Sequence, residues 1–174
     1  MKKYNFKILL LGGPAVGKTS ILYRFVKNQF SYDYITTIGL NYLTKEVHLD
    51  DKNYAKLVIW DVAGQEKFKF LRKKYYEGTN GALLIFDLTR LNSYEELKDW
   101  LSEMFEIIQI KIPFVIIGNK LDLLKEVNRS IDIDIVKDYA KNQDSIYIET
   151  SAKTGENIEE AFEELTKRMI AHIS

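Results

Sequence analysis

The chain has 174 residues, 25 of them basic and 25 acidic, so its formal net charge is zero and bulk attraction to nucleic acid or an anionic membrane is excluded. At about 150 residues per domain it is one domain, and its hydrophobic and charged fractions of 46% and 29% exclude a disordered or collagen-like chain. The lack of cysteine rules out disulfides, thiolate metal sites, a cysteine nucleophile, prenylation and palmitoylation of this chain, and no apolar run approaches the ~20 residues of a membrane span.

An apolar run at 6–11 reads as a strand buried on both faces. Gly12-Gly13-Pro14-Ala15-Val16-Gly17-Lys18-Thr19 follows, and then a helical stripe of Ile21, Leu22, Phe25 and Val26. Runs at 40–49 and 57–60 flank a polar Asp50-Asp51-Lys52-Asn53 turn and predict an antiparallel hairpin. Asp61-Val62-Ala63-Gly64-Gln65 closes that hairpin. From Gln65 to Glu77, five basic residues (Lys67, Lys69, Arg72, Lys73, Lys74) stand against two acidic ones, Glu66 and Glu77. This is a solvated helix face or an electropositive surface for acidic partners.

A further buried strand is expected at 82–86. Ser93-Tyr94-Glu95-Glu96 predicts a capping box before the stripe Leu97, Trp100, Leu101, Met104, Phe105 and Ile108. The strand at 114–117 runs into Asn119-Lys120-Leu121-Asp122. Ile and Asp alternate over 131–135; this fits a strand but is read as a helix start capped by Asp132. A last strand at 146–148 leads to Ser151-Ala152-Lys153, and Ile158, Ala161, Phe162, Leu165 and Met169 mark the final helix. Its acidic start and basic end suit the helix dipole. Strand and helix alternate, so the class is α/β with a mostly parallel sheet.

Residues 12–19 match G-x-x-x-x-G-K-[ST] in the strand-then-helix context that the pattern needs. Glycines let backbone amides curl around phosphate oxygens, and the helix N-terminus adds partial positive charge. Lys18 can reach outer phosphates, and the Thr19 hydroxyl suits Mg²⁺. This segment alone chooses neither the base nor a hydrolase over a kinase. At a strand end, Asp61 can hold Mg²⁺ through water, the Gly64 amide can sense a γ-phosphate and Gln65 can orient an attacking water. Asn119 to Asp122 lie where ligands gather in open α/β sheets. The Asp122 carboxylate accepts from guanine N1–H and its exocyclic amine, whereas adenine would leave it unpaired. The Lys120 stem can lie along the base, and Ser151, Ala152 and Lys153 allow its close approach. His48 and His172 have no neighbours that suggest a metal site and are read as surface residues.

The segments GGPAVGKT, TTIG, WDVAGQE, NKLD and ETSAK, in that order and spacing, resemble a Ras-superfamily small GTPase. ITTIGLNY, IWDVAGQEKF and KYYEG resemble its Rab branch, and the similarity covers residues 4–172. The resemblance implies a P-loop NTPase G domain, with a six-stranded mostly parallel sheet, one antiparallel strand and about five helices. It implies a switch that binds GTP and GDP with Mg²⁺ and hydrolyses GTP slowly, in vesicle traffic or related signalling. Its partners would be an exchange factor, a GTPase-activating protein and effectors. It implies a catalytic role for Gln65 and nucleotide contacts from Pro14, Ala15, Val16, Gly17, Lys18, Thr19, Ser20 and Gly64. Phe30 would stack on the guanine and Tyr34 would cover the phosphates. Thr37 would join Thr19 as an Mg²⁺ ligand, with Asp61 acting through water. Asn119, Lys120, Asp122, Ser151, Ala152 and Lys153 would surround the base, and Tyr42, Trp60 and Tyr75 would form an effector surface.

Three features depart from the family pattern. Pro14 stands at a usually small loop position and has no amide hydrogen, which leaves the amides of Ala15 to Thr19 to hold phosphate. It is expected to permit intrinsic hydrolysis and to narrow the choice of activating partner. Val62 replaces the usual Thr. The sequence stops at Ser174, right after the last helix. The expectation is therefore a single G domain over 1–174 with no lipidation tail, monomeric, without nucleic-acid partners or direct membrane insertion. It would be cytoplasmic, or peripheral to endomembranes if the native protein carries a lipidated tail. Two alternatives stand beside this reading: an ATP-using P-loop kinase or ATPase, which Asp122 disfavours, and a GTP-binding module with little hydrolysis, which Gln65 and Thr37 disfavour.

Overall fold

The computed structural model describes residues 2–32 and 40–174. Six strands, β1 (Lys2–Leu11), β2 (Leu40–His48), β3 (Asn53–Val62), β4 (Gly81–Asp87), β5 (Phe114–Asn119) and β6 (Ile146–Glu149), form one sheet in the order β2-β3-β1-β4-β5-β6. β2 runs antiparallel to β3, and the other neighbours are parallel. The hairpin forms as expected: Asp50 Oδ1 accepts from the amides of Lys52 at 2.7 Å and Asn53 at 2.8 Å, an Asx turn that fixes the register.

The apolar runs are continuous because both faces of the sheet are covered. Strand period two sends Phe6, Ile8 and Leu10 into one core, shared with Ile21, Leu22 and Phe25 of α1 (Lys18–Lys27) and Phe162 and Leu165 of α6 (Ile158–Ile173). Leu9 and Leu11 enter the other core. There they meet Tyr76 of α2 (Lys69–Tyr76), Trp100 and Met104 of α4 (Leu97–Ile108), and Val136 of α5 (Ile133–Asn142). Asp132 caps α5 as expected, accepting from the Asp134 amide at 2.7 Å. Among the described residues no helix is long and apolar enough to cross a membrane.

The capping box at Ser93 does not form. Ser93 is buried inside a short helix, α3 (Leu91–Glu95), where its Oγ accepts from the Asp87 amide at 2.9 Å and donates to the Arg90 carbonyl at 2.7 Å. The end of β4 takes the hydroxyl that the pattern assigned to a cap. Glu96 separates α3 from α4; taken as one bent helix, these two bring the α-helices among the described residues to the expected five.

The basic face of α2 is also smaller than its sequence. Lys67, Lys69, Lys73 and Lys74 are exposed, but Arg72 is 2% exposed. Its Nε and Nη2 donate to Glu103 of α4 at 2.7 and 2.8 Å, its guanidinium lies 4.4 Å from the Trp100 ring centroid, and Tyr76 Oη lies 3.1 Å from Glu103 Oε1. Burial works against the Glu103 charge, but the hydrogen bonds from Arg72 outweigh it and hold the carboxyl below its ordinary range. Glu103→Ala strands the Arg72 charge and should cost about 3 kcal/mol in denaturant unfolding. A lowered folded pKa means that the Glu103 contribution is fully present above the ordinary glutamate pKa and is lost as pH falls through the folded value. Wild type and Glu103→Gln should therefore converge in stability on acidification.

Candidate nucleotide-binding site

β1 lies between β3 and β4, so the chain builds outwards in both directions from it. A crevice opens at the carboxyl ends of strands where the order reverses in this way. A cavity of about 1080 Å³ occurs here. The loop after β1 lines it with Pro14, Ala15 and Gly17, the first turn of α1 with Lys18, Thr19 and Ser20, and the segment from the end of β3 adds Asp61, Gly64 and Gln65. The end of β5 and the loop after it add Asn119, Lys120 and Asp122, the loop after β6 adds Ala152 and Lys153, and Phe30 completes the expected set.

Two predicted residues do not line the cavity. Val16 buries its side chain in the core, and its carbonyl accepts from Asn119 Nδ2 at 3.0 Å. Ser151 is buried and donates to Asp122 Oδ1 at 2.6 Å, which orients that carboxylate. Tyr34 and Thr37 lie outside the described residues. Tyr23, Gln29, Ser31, Tyr32, Asn41 and Leu123 also line the cavity and were missed. Tyr23 was legible, because it sits four residues after Thr19 on the same helix face. Asn41 comes from the start of β2, and nothing local marks it.

Lys18 is the buried cation of the site. Its Nζ donates to the carbonyls of Gly12 at 2.9 Å and Gly13 at 2.7 Å. Burial lowers its pKa to about 8 although the Asp61 charge pulls the other way. The charge of an entering anion would offset that burial cost and favour the protonated form. Beside it, Thr19 Oγ1 donates to Asp61 Oδ2. A hydroxyl and a carboxylate brought together next to a phosphate loop are hard oxygen donors that fit Mg²⁺, which takes few protein ligands and fills its sphere with water and phosphate oxygens.

The walls are tied to one another. Asn119 Oδ1 accepts from Thr150 Oγ1 at 3.1 Å and from the Ala152 amide at 3.3 Å, joining the loops after β5 and β6. The Gln65 carbonyl lies 3.4 Å from Arg72 Nη1, so the Arg72–Glu103 pair also holds the turn that carries Gln65. Tyr42, Trp60 and Tyr75 do not line the cavity. They make a separate continuous patch, with ring centroids 5.6 Å apart for Tyr42–Trp60 and 5.9 Å apart for Trp60–Tyr75. Tyr42 is exposed, and Lys7 Nζ lies 4.1 Å from the Trp60 ring centroid.

Close approach demands glycine at several positions, Gly64 and Gly17 among them. A Cβ at Gly64 would strike the backbone of Gly12 and Gly13, and one at Gly17, where φ is +100°, would strike the Asn119 amide. Gly78 has a positive φ of +69° with open space around it. Gly78→Ala should cost only the backbone term of about 1 kcal/mol, and Gly17→Ala about 2–4 kcal/mol because Asn119 must move as well. Denaturant unfolding of the two variants measures the difference.

The Ras family model matches residues 7–171 of this chain. The chain is 41% identical over 169 residues to Ras-related protein Rab-21 of Homo sapiens, spanning 97% of this chain and 74% of that one. It is 38% identical over 168 residues to Ras-related protein Rab-2B of Dictyostelium discoideum, spanning 97% and 82%. It is likewise 38% identical over 171 residues to Ras-related protein RABA1h of Arabidopsis thaliana, spanning 98% and 77%. Identity at this level along nearly the full length, on a sheet with this strand order, means that the chain belongs to the Ras family as a Rab-like small GTPase.

Proposed function

We propose that this chain cycles between GTP-bound and GDP-bound states as a Rab-type switch in membrane traffic, hydrolysing GTP slowly by itself and faster with a partner. The observation that carries this reading is the joining of two chemistries in one cavity. The phosphate loop and the base-reading loops share it and are bonded to each other through Asn119 to Val16 and Lys120 Nζ to the Ala15 carbonyl at 2.8 Å.

In this reading Lys18 and the amides of Ala15 to Thr19 hold the phosphates, and Asp122, oriented by Ser151, reads guanine. Phe30 packs on the base, and Lys120, Ala152 and Lys153 enclose it. Thr19, Thr37 and, through water, Asp61 would hold Mg²⁺, which supplies positive charge to the outer phosphates when bound. Gln65 orients the attacking water. GTP draws in Thr37 and Gly64, hydrolysis releases them, and partners sense the difference. Those partners are an exchange factor, an activating protein that supplies an arginine, and effectors that use Tyr42, Trp60 and Tyr75. The protein acts as a monomeric single domain, cytoplasmic or held peripherally at endomembranes by a lipidated tail.

Asp122→Asn should weaken GTP binding and favour xanthosine nucleotides, whose 2-oxo group accepts where guanine donates. A competition assay with GTP, XTP and ATP checks this, and ATP binding as tight as GTP binding would overturn the guanine reading. Gln65→Leu should keep nucleotide affinity within a few-fold and strongly slow hydrolysis, because the side chain acts on the transition state and not on the ground state. Single-turnover phosphate release measures it. Equal rates for the two proteins would leave a GTP-binding module without a Gln65-dependent reaction.

A further inference from the structure

Ala15 carries a Cβ and yet sits at φ +59°, in the left-handed region, within the loop that must present its amides to an anion. That backbone is disfavoured for an L-residue and persists only when its surroundings hold it. Both peptide groups that flank Ala15 are held. The Pro14 carbonyl, before it, accepts from Arg90 Nη2 at 2.9 Å, and its own carbonyl accepts from Lys120 Nζ at 2.8 Å.

The two cations share an anchor. Arg90 Nε lies 3.2 Å and Lys120 Nζ 2.8 Å from the same atom, Asp87 Oδ2. Asp87 is 2% exposed, and its other oxygen accepts from the Thr89 amide at 2.9 Å and the Thr89 hydroxyl at 2.7 Å. Lys120 lines the cavity and Arg90 does not. At residue 14 the proline ring fixes φ, and the grip of Arg90 on its carbonyl restrains ψ. Just beyond α3, the Glu96 carboxylate fills the space that a Cβ on Gly13 would need. The residues that flank this short helix therefore bracket two consecutive loop residues.

We propose that Asp87 and Arg90 are positioning residues for nucleotide retention: the buried carboxylate anchors Arg90 and Lys120, and these two cations clamp the peptide groups on either side of Ala15, so that the loop keeps its phosphate-binding shape without a ligand. This rests on the guanine-nucleotide reading above.

The test is the release rate of fluorescently labelled GDP from the Mg²⁺-loaded protein. Arg90 is partly exposed, and its variant is expected to fold with an unchanged circular dichroism spectrum. Arg90→Ala should release labelled GDP at least fivefold faster than wild type. In an Ala15→Gly background the same substitution should accelerate release less than twofold, because glycine adopts this φ without being held. A merely structural role for Arg90 would act alike in both backgrounds. Asp87→Asn keeps the shape and unanchors both cations, and it should release GDP faster than Arg90→Ala. If it fails to fold, the Arg90 and Ala15 pair decides. No acceleration in Arg90→Ala, or equal acceleration in both backgrounds, overturns the clamp while guanine binding stands. Wild-type protein that retains no labelled GDP overturns the guanine-nucleotide reading and the clamp with it.

Discussion

Five consecutive carbonyls, from Gly12 to Val16, are each tied back by a side chain. Lys18 takes Gly12 and Gly13, Arg90 takes Pro14, Lys120 takes Ala15 and Asn119 takes Val16, while the Gly17 carbonyl accepts from the Ile21 amide as the first turn of α1 begins. A loop presents amides to an anion only if its carbonyls, which repel that anion, are satisfied elsewhere. The rest of the architecture supplies those donors. β1 delivers the loop, α1 brings Lys18 back over it, β4 ends at the Asp87 anchor and β5 ends at Asn119. The sheet order matters because β4 lies next to β1 and β5 next to β4, which sets the three carboxyl ends side by side.

The same logic connects the site to the flanking helices. Arg72 is buried with Glu103 and Trp100, and it also lies near the Gln65 carbonyl, so the turn that carries Gln65 is pinned to α4. Gly64 packs on Gly12 and Gly13 with no room for a side chain. Movement of the segment after β3 must therefore press on the phosphate loop, and movement of that loop must press back.

The sheet was legible because apolar runs and turn chemistry act locally: the residues 6–11, 57–60, 82–86, 114–117 and 146–148 all fall in strands, and Asp132 caps the helix that its alternating neighbours obscured. The loops after β1, β5 and β6 were legible as a shared site because their motifs carry it, and their residues do line one cavity. What failed was decided by contacts across the chain. Ser93 had the spacing of a cap, but the end of β4 competed for its hydroxyl. Arg72 counted as a surface charge until Glu103, 31 residues later, drew it inside. Val16 and Ser151 stand at motif positions with their side chains turned inward, one in the core and one donating to Asp122; a motif sets a residue's place in the loop, and packing sets where its side chain goes. Arg90, 76 residues from Pro14, gives no signal in its own neighbourhood.

Proline at position 14 illustrates how these constraints combine. Its missing N–H removes one donor from the cradle, and a buried cradle short of a donor holds an anion less well. The ring, however, fixes φ, and a residue with fixed φ loses less backbone freedom when the loop is ordered. The remaining freedom lies in ψ and in the next residue, Ala15, whose φ of +59° is costly for a side-chain-bearing residue. A loop of this composition would be free to relax away from its binding shape unless the Pro14–Ala15 peptide were gripped, and that peptide is the one Arg90 holds. A guanidinium suits the task better than an ammonium, because its fork reaches the Asp87 carboxylate through Nε and the Pro14 carbonyl through Nη2 at once. The proline, the strained alanine and the arginine therefore make physical sense as a set, each supplying a restraint that the other two lack.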